Sequence, residues 1–311
     1  MSLIEQAAKR LEQLRQAGVE VPDDLADTPK SAPVAPAVTV GPRTEDAAKP
    51  VPVAEPAQPA KSSVQSKRIE LDLDALAAGN FIGPNSPRSQ IAEEYRVIKR
   101  PLIDNAMGRG AAPVENGNLI MVTSSLPGEG KSFTAINLAM SIAMELDNTV
   151  MLVDADVARP SVLNMLGLPP AKGLLDVLVE ESVDLSQVLL RTNVEKFTLL
   201  PAGTQHPRAT ELLASDAMVR LLSDMANRYS DRIIIFDSPP LLLTTESRVL
   251  ATHMGQVVMV VQAERTLQSD VKQALAAIEA CPVRMLVLNK VRGVQAEGYG
   301  YGYGYGYGYG S

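Results

Sequence analysis

The residues with the clearest chemical meaning lie in one nine-residue segment, Ser124-Ser125-Leu126-Pro127-Gly128-Glu129-Gly130-Lys131-Ser132, between an apolar and an amphipathic stretch. Gly128 and Gly130 let successive backbone N–H groups turn toward one anion, and the helix that follows adds positive potential. Lys131 is spaced to reach the β- and γ-phosphates of a nucleotide, and the Ser132 hydroxyl to ligate Mg²⁺. The segment therefore predicts a P-loop. The predicted nucleotide-binding residues are Gly128, Glu129, Gly130, Lys131, Ser132 and Phe133.

Two acidic segments follow apolar stretches farther along the chain. Asp154 and Asp156 come directly after Val153, and Asp237 comes directly after Phe236. A single aspartate after a strand is usually a turn residue or a helix cap. Two such segments downstream of a P-loop favour nucleotide chemistry, because the carboxyl ends of parallel strands meet at one edge of a sheet. Carboxylates in that place can hold Mg²⁺ and its waters or accept a proton.

The carboxyl terminus is a strict alternation of tyrosine and glycine. The predicted phospho-acceptors are Tyr299, Tyr301, Tyr303, Tyr305, Tyr307 and Tyr309. A solubilising low-complexity tail is the alternative interpretation. Tethering beside a γ-phosphate site would give these phenols roughly millimolar effective concentration. Full phosphorylation would add roughly 9 to 12 negative charges, more than the formal net charge of -7 that the chain carries.

The elements that must position these residues alternate along the chain. The predicted strands are Leu119–Thr123, Thr149–Val153, Phe197–Pro201, Arg232–Phe236, Gln256–Val261 and Arg284–Leu288. The amphipathic, helix-like stretches are Ile91–Ile103, Phe133–Leu146, Ala209–Tyr229 and Ser269–Ala280. Short, nearly all-apolar strands separated by helices predict an α/β fold, a mostly parallel P-loop-type sheet flanked by helices.

Composition limits the other possibilities. The net charge of -7 argues against a nucleic-acid partner bound through bulk positive charge. A single Cys281 excludes an internal disulfide and a cysteine-cluster metal site, and only two histidines make a histidine-based metal site unlikely to form. The apolar runs are shorter than the ~20 residues of a spanning helix, and no signal-peptide pattern is visible. We therefore expect a cytoplasmic chain.

The domain organisation follows from local composition. Residues 1–20 predict an amphipathic helix, and residues 21–80 a disordered Pro/Ala-rich linker. From composition we predict that residues 81–295 form the P-loop domain and that residues 296–311 form a disordered Tyr/Gly tail. The first helix is either loosely docked on the domain or a docking element for a partner protein.

Together these segments resemble the bacterial tyrosine kinases, the P-loop autokinases tied to exopolysaccharide synthesis and export. Residues 127–132 resemble their Walker A loop, Asp154-Ala155-Asp156 their second acidic motif, and Asp237-Ser238-Pro239-Pro240 their Walker B motif. The resemblance extends over about residues 81–311, and includes Leu199–Gly203 and Glu211–Leu213. The long amino-terminal extension is similar to the branch that accompanies exosortase-linked operons.

The resemblance implies a Mg-ATP-dependent autokinase that phosphorylates its own terminal tyrosines. It implies that Asp154 is the base or a metal-associated acid, that Asp156 and Asp237 organise Mg²⁺, and leaves open which carboxylate takes the proton. Asn289 is a candidate adenine contact by resemblance, and a strand-end turn explains it equally well. The predicted catalytic residues are Lys131, Asp154, Asp156 and Asp237, and the predicted metal ligands are Ser132, Asp154 and Asp237.

The resemblance also implies partners. These are further copies of the chain in a homo-oligomer, a membrane polysaccharide co-polymerase and a cognate phosphotyrosine phosphatase, with the protein peripheral to the inner membrane. The family's Glu-x-x-Arg-x-x-Arg helix for subunit contacts corresponds to Glu93, Arg96 and Lys99. A solvated helix face is the alternative for this stripe. A second departure is Ala158, where the family usually has a basic residue, with Arg159 next to it.

A partition-type or division-site-type ATPase, which switches by nucleotide-dependent dimerisation, is the competing function. Those proteins carry an extra lysine near the start of the loop, where this chain has Leu126. A third possibility is a catalytically weak scaffold in which nucleotide only controls assembly. The missing lysine and the tyrosine tail favour the kinase.

Overall fold

The structure, a computed structural model, describes residues 66–84, 89–180, 182–228 and 232–292. Within this part of the chain the strands form one sheet in the order β1-β4-β5-β3-β6-β2-β7-β8. Their bounds are β1 Lys67–Arg68, β2 Leu119–Ser124, β3 Thr149–Asp154, β4 Leu190–Arg191, β5 Phe197–Leu200, β6 Arg232–Asp237, β7 Gln256–Gln262 and β8 Val283–Asn289. Every pairing is parallel except that between β4 and β5.

Helices cover both faces of the sheet. Their bounds are α1 Leu73–Ala78, α2 Gln90–Ala106, α3 Lys131–Ala143, α4 Val162–Met165, α5 Leu174–Val179, α6 Leu185–Val188, α7 Ala209–Leu213, α8 Asp216–Arg228, α9 Glu246–Ala251 and α10 Gln268–Ala277. Apolar side chains of α1 to α4 pack in one core layer, and those of α5 to α10 in the other. This two-sided cover explains why β2, β6 and most of β3 and β7 are buried at nearly every position.

The predicted fold class is confirmed. Each of the six predicted strands is present, with ends that differ by one residue from the expected bounds. The stretch predicted as one helix over residues 209–229 is two helices, α7 and α8. The break falls at Ser215, whose Oγ accepts a hydrogen bond from the N–H of Met218, as a helix cap does.

The described structure includes residues that precede the predicted domain boundary at residue 81. β1 pairs with β4, and the amide of Asn193 exchanges two hydrogen bonds with the backbone of Leu71. Leu71 and Leu76 are buried in the core layer of α2 and α3. Residues 66–80 therefore belong to the folded domain, because they supply an edge strand and core side chains.

The other predicted segments lie outside the described residues. These are the helix at residues 1–20, most of the linker and the tail at residues 296–311. Among the described helices, none has both the length and the apolar character needed to cross a bilayer.

Candidate functional site

The strand register brings two of the predicted aspartates side by side. Asp154, the last residue of β3, is directly opposite Asp237, the last residue of β6. Side chains alternate between the two faces of a strand, and the apolar residues two positions before each aspartate, Leu152 and Ile235, pack in the α3 layer. Both carboxyl groups therefore face the amino-terminal end of α3, where the P-loop ends.

The P-loop has the backbone shape that its glycines allow. Gly128 and Gly130 have φ angles of 82° and 104°, in the left-handed region that other residues rarely adopt. Gly130 is the residue before α3, and as a glycine it has no side chain that could cap the helix. The free N–H groups of the first turn of α3 are thus left for an anion.

Lys131 is the centre of a buried charge cluster. Its Nζ lies 2.7 Å from Oδ2 of Asp156 and 3.7 Å from Oδ1 of Asp237. Burial lowers the pKa of Lys131, but the nearby Asp237 and Asp156 charges outweigh burial and raise it. The lysine is therefore a fixed positive charge at the mouth of the loop, set against more negative charges than it can neutralise.

Asp154 and Asp237 are unusually basic for carboxyl groups. Burial raises the pKa of Asp154 to about 7, helped by the neighbouring Asp237 charge. Burial also raises the pKa of Asp237 to about 6, although Lys131 acts in the opposite direction. A carboxyl group with a pKa near neutrality can both release and accept a proton at the pH of a cell.

Several oxygen atoms of these carboxylates lack hydrogen-bond partners among the described residues. They are Oδ1 of Asp154 and both carboxylate oxygens of Asp237. Oδ2 of Asp154 accepts hydrogen bonds from the backbone N–H groups of Ser161 and Val162, both 3.1 Å away. The Ser161 hydroxyl also donates to Ser132 Oγ at 2.9 Å. Ser161, which the sequence analysis did not identify, thus joins the Asp154 loop to the P-loop.

Two of the predicted nucleotide-binding side chains point elsewhere. Glu129 is buried, and its carboxylate accepts hydrogen bonds from the Leu126 N–H at 2.7 Å and from the Thr266 hydroxyl. The Phe133 ring packs against Phe81, with ring centroids 5.1 Å apart. For both residues only backbone groups are left to meet a nucleotide, as P-loop binding requires.

The far end of the sheet also contacts the P-loop. Asn289, the last residue of β8, donates from Nδ2 to the Glu129 carbonyl at 2.9 Å. The next residue, Lys290, donates from Nζ to the Gly128 carbonyl at 2.6 Å. The Asn289 amide, a candidate adenine contact, is therefore engaged with the loop itself.

A cavity of about 650 Å³ opens beside Asp154. Most of its wall is apolar, contributed by the loops that follow β3 and β5 together with α4, and Lys172 lies at its rim. The apolar lining includes Pro160, Leu163, Leu168, Pro170, Ala171 and Ala202. Asp176 ties the two loops together, since its Oδ2 accepts from the N–H groups of Gly173 and Thr204 at 2.7 and 3.0 Å. The volume of this cavity is in the range of small-molecule sites.

The predicted oligomer stripe on α2 is only partly exposed. Glu93 and Arg96 are exposed and form an ion pair with each other. Lys99 is buried: its Nζ lies 2.7 Å from Glu145 Oε1 and donates to the Ser141 carbonyl at 2.6 Å. Lys99 is therefore a poor candidate for a subunit contact, and the exposed Arg100 takes its place on the surface.

The site fits a nucleotide and a divalent cation. The unpartnered carboxylate oxygens and the open N–H groups at the start of α3 are complementary to Mg²⁺ and to phosphate. Among the described residues, no cluster of three or more His, Cys, Asp or Glu side chains is arranged to hold a metal ion by itself. Mg²⁺ is usually bound through one or two carboxylates, several waters and the phosphates of the substrate.

The comparisons with known proteins decide the family. A family model described as an AAA domain matches residues 117–287, more than half of the chain. The tyrosine-protein kinase YwqD of Bacillus subtilis is 31% identical over 207 residues, which cover 67% of this chain and 83% of YwqD. The chain belongs to the bacterial tyrosine kinases.

Two solved structures agree with this assignment. The kinase domain of the Escherichia coli tyrosine kinase ETK is 28% identical, with a TM-score of 0.53, and the match covers 60% of this chain and 73% of that one. The chimerical protein CapA2B2 is 27% identical, with a TM-score of 0.55 and coverage of 71% and 93%. The predicted family is thus confirmed, whereas the exosortase-linked branch, the role of each site residue and the tyrosine tail stay predictions.

Proposed function

We propose that this bacterial tyrosine kinase transfers the γ-phosphoryl group of Mg-ATP to the phenols of its own tail. The observation that carries the proposal is the cluster of Lys131, Asp154, Asp156 and Asp237 between the P-loop and an apolar cavity. The P-loop backbone and Lys131 would bind the phosphates. Ser132 and Asp237 would hold Mg²⁺, which neutralises charge on the phosphoryl oxygens when it is bound, and Asp154 is left for the proton.

The reaction needs a base for the phenol proton. The bond between the γ-phosphorus and the bridging oxygen breaks, ADP leaves, and a new bond forms from phosphorus to the phenolic oxygen. We assign the released proton to Asp154, because its pKa of about 7 is close to the working pH and it lines the cavity. Asp237 does not line this cavity and lies beside Lys131, so we assign its role to the metal and to Lys131.

The cavity beside Asp154 suits the acceptor side chain. A phenol ring needs apolar walls and one polar group at its hydroxyl, and the cavity offers Leu163 and Leu168 together with the Asp154 carboxylate. Glycine on both sides of each tail tyrosine adds no side chain that could obstruct entry. An Ala171→Trp substitution, which fills the cavity, should lower autophosphorylation and leave the Kd of Mg-ADP unchanged.

The test is autophosphorylation of the full-length chain with Mg-ATP at several protein concentrations. Wild type should give phosphotyrosine, Lys131→Met should give none, and replacing the six tail tyrosines by Phe should remove most of the signal. Tyr229→Phe is the matched control and should keep it. Phosphate release without phosphotyrosine would overturn the kinase proposal in favour of a partition-type ATPase switch.

We also propose that the kinase acts in exopolysaccharide polymerisation or export with a membrane co-polymerase, a phosphatase and further copies of itself. The family assignment supports this context, and the exposed Glu93 and Arg96 offer a charged surface for self-association. The chain should then be found at the inner face of the membrane when its partner is co-expressed. Its recovery in the soluble fraction alone, with the partner present, would contradict this.

A further inference from the structure

Two side chains at the end of β8 donate hydrogen bonds to the backbone of the P-loop. Two consecutive carbonyl oxygens of the loop, those of Gly128 and Glu129, accept hydrogen bonds from Lys290 Nζ and Asn289 Nδ2 at 2.6 and 2.9 Å. We call this pair of contacts the β8 clasp. Lys290 is 162 positions from Gly128 in the sequence, and Asn289 is 160 positions from Glu129.

The clasp has a direct consequence for the phosphate site. In a planar trans peptide, the C=O of one residue and the N–H of the next point in opposite directions. A Gly128 carbonyl held toward Lys290 turns the Glu129 N–H away from β8, and a Glu129 carbonyl held toward Asn289 does the same for the Gly130 N–H. These are N–H groups of the kind that a P-loop presents to phosphate.

Asn289 fits its place closely. A Cβ atom on Gly130 would overlap Asn289 Nδ2, so the amide occupies space that any other residue at position 130 would fill. The amide is also fixed at its other end, where Oδ1 accepts the Lys290 N–H at 2.8 Å. The Asn289 carbonyl accepts the Ala263 N–H at 2.9 Å, which anchors the backbone of Asn289 to the end of β7.

We propose that Asn289 and Lys290 are positioning residues that fix two peptide planes of the P-loop in the phosphate-binding orientation before nucleotide arrives. This rests on the proposed binding of nucleotide by the loop, and it assigns Asn289 a role different from an adenine contact. A binding loop that is already in its bound shape does not lose binding free energy to reorganisation. The clasp should therefore strengthen binding of any nucleoside diphosphate or triphosphate, whatever its base.

The experiment measures Kd for Mg-ADP and Mg-GDP by titration of the full-length chain. Asn289→Asp keeps the size of the side chain but replaces the donor by an acceptor, and Lys290→Met removes the donor and keeps the stem. Each substitution should weaken both nucleotides by about three- to tenfold, the effect of one net hydrogen bond. Lys290→Arg, which restores a donor, should bind like wild type, and so should Lys272→Met, which removes an exposed lysine of α10.

The ratio of the two Kd values separates positioning from base recognition. An unchanged ADP to GDP ratio in Asn289→Asp supports the clasp, whereas a selective loss of ADP would overturn it in favour of an adenine contact. Wild-type affinity in both Asn289→Asp and Lys290→Met would also overturn it. A failure of the wild-type chain to bind Mg-ADP would instead refute the proposed function. If Asn289→Asp does not fold, the comparison of Lys290→Met with Lys290→Arg decides the question.

Discussion

Two lysines lie at opposite ends of α3, Lys99 buried and Lys131 half-buried, and they have different surroundings. Lys99 lies beside the carboxyl end of the helix, where it donates to the Ser141 carbonyl and pairs with Glu145. A positive charge at that end is favoured by the helix dipole and satisfies a carbonyl of the last turn. Lys131 is the first residue of the same helix, where the dipole disfavours a positive charge.

The difference shows that Lys99 stabilises the fold, whereas Lys131 lies where the fold alone does not favour a positive charge. Lys99 completes hydrogen bonding at a helix end, so folding alone accounts for it. Lys131 lies against the dipole and is compensated by Asp156 and Asp237, whose own burial is costly. Such an arrangement is explained by a ligand, because an anionic phosphate and a cation would satisfy the lysine and the carboxylates separately.

The largest expected effect comes from exchanging each lysine for methionine. Lys131→Met should reduce autophosphorylation by about 100-fold or more, the scale of losing one preorganised charge-stabilising donor. Lys99→Met should keep at least half of the wild-type activity per folded molecule. Phosphotyrosine yield, normalised to the folded fraction from circular dichroism, measures both. Equal losses of autophosphorylation in the two variants would contradict the assignment of a structural role to Lys99 and a phosphate-binding role to Lys131.

The second prediction concerns pH. The folded-state pKa values of Asp154 and Asp237, about 7 and about 6, lie above the ordinary value of 3.8. The folded chain therefore binds more protons than the unfolded chain between about pH 4 and pH 7. The contribution of these two groups to the free energy of unfolding of the nucleotide-free protein should therefore fall as pH rises through this window and change little above it.

Asp154→Asn isolates that effect. The substitution removes the cost of ionising a buried carboxyl, so it should raise Tm at pH 7.5 by about 3 °C or more and have little effect near pH 4. Thermal unfolding of the nucleotide-free chain between pH 4 and pH 8 gives the comparison, with the exposed Glu279→Gln as control. A Tm difference that does not depend on pH would contradict the assignment.

The third prediction addresses the structural lysine. Lys99→Met should lower the free energy of unfolding by about 1–3 kcal/mol, since it leaves the Ser141 carbonyl without its donor and Glu145 without its partner. Urea unfolding followed by circular dichroism measures the change. A loss of less than about 0.5 kcal/mol, the effect of an exposed pair, would mean that the buried contacts of Lys99 contribute little.

The smallest expected effect on stability is on the exposed face of the same helix. Arg96→Ala should change the free energy of unfolding by less than about 0.5 kcal/mol, because its pair with Glu93 is exposed. If this face joins subunits, Arg96→Glu and Arg100→Glu should both reduce self-association in sedimentation velocity, and Lys272→Glu should not. Unchanged association in both variants would exclude this face as a contact.

The sequence was sufficient to predict the central strands and the positions of the acidic residues. Runs such as Ile233–Ile235 are apolar at every position, which only a strand covered on both faces requires. The two-residue strands β1 and β4 were missed because strands this short carry no periodic pattern. The antiparallel pairing of β4 with β5 depends on a turn at Lys196, whose φ of 66° no hydrophobic pattern reveals.

The helix α2 shows how a spacing argument can fail. Residues at i, i+3 and i+6 appear to share a face, but at about 100° per residue Lys99 is turned about 120° away from Glu93. Arg100, at i+7, returns to within about 20° of Glu93. Spacing alone does not exclude Lys99, because the three positions span about 120° of the helix. Its burial against Glu145 is what corrects the prediction of a surface contact.

The contacts that shape the P-loop were beyond sequence reasoning for a different reason. Glu129 meets Thr266, and Gly128 meets Lys290, across more than a hundred residues. Such partners depend on the strand order of the finished sheet, in which β7 lies next to β2 and β8 lies next to β7. Resemblance identified Asn289 as a candidate, whereas its contact with the Glu129 carbonyl can be seen only in the structure.

The strand order separates the two ends of the folded domain. β1 and β8 are the opposite edges of the sheet, so seven interstrand spacings of about 4.8 Å place them about 34 Å apart. Residues 1–65 are joined to the first edge, and the tyrosine repeat is joined to the second. A protein captured through the amino-terminal segment would thus be attached at the edge of the sheet opposite to the one from which the chain continues to the tyrosine repeat, so the two segments have separate attachment points.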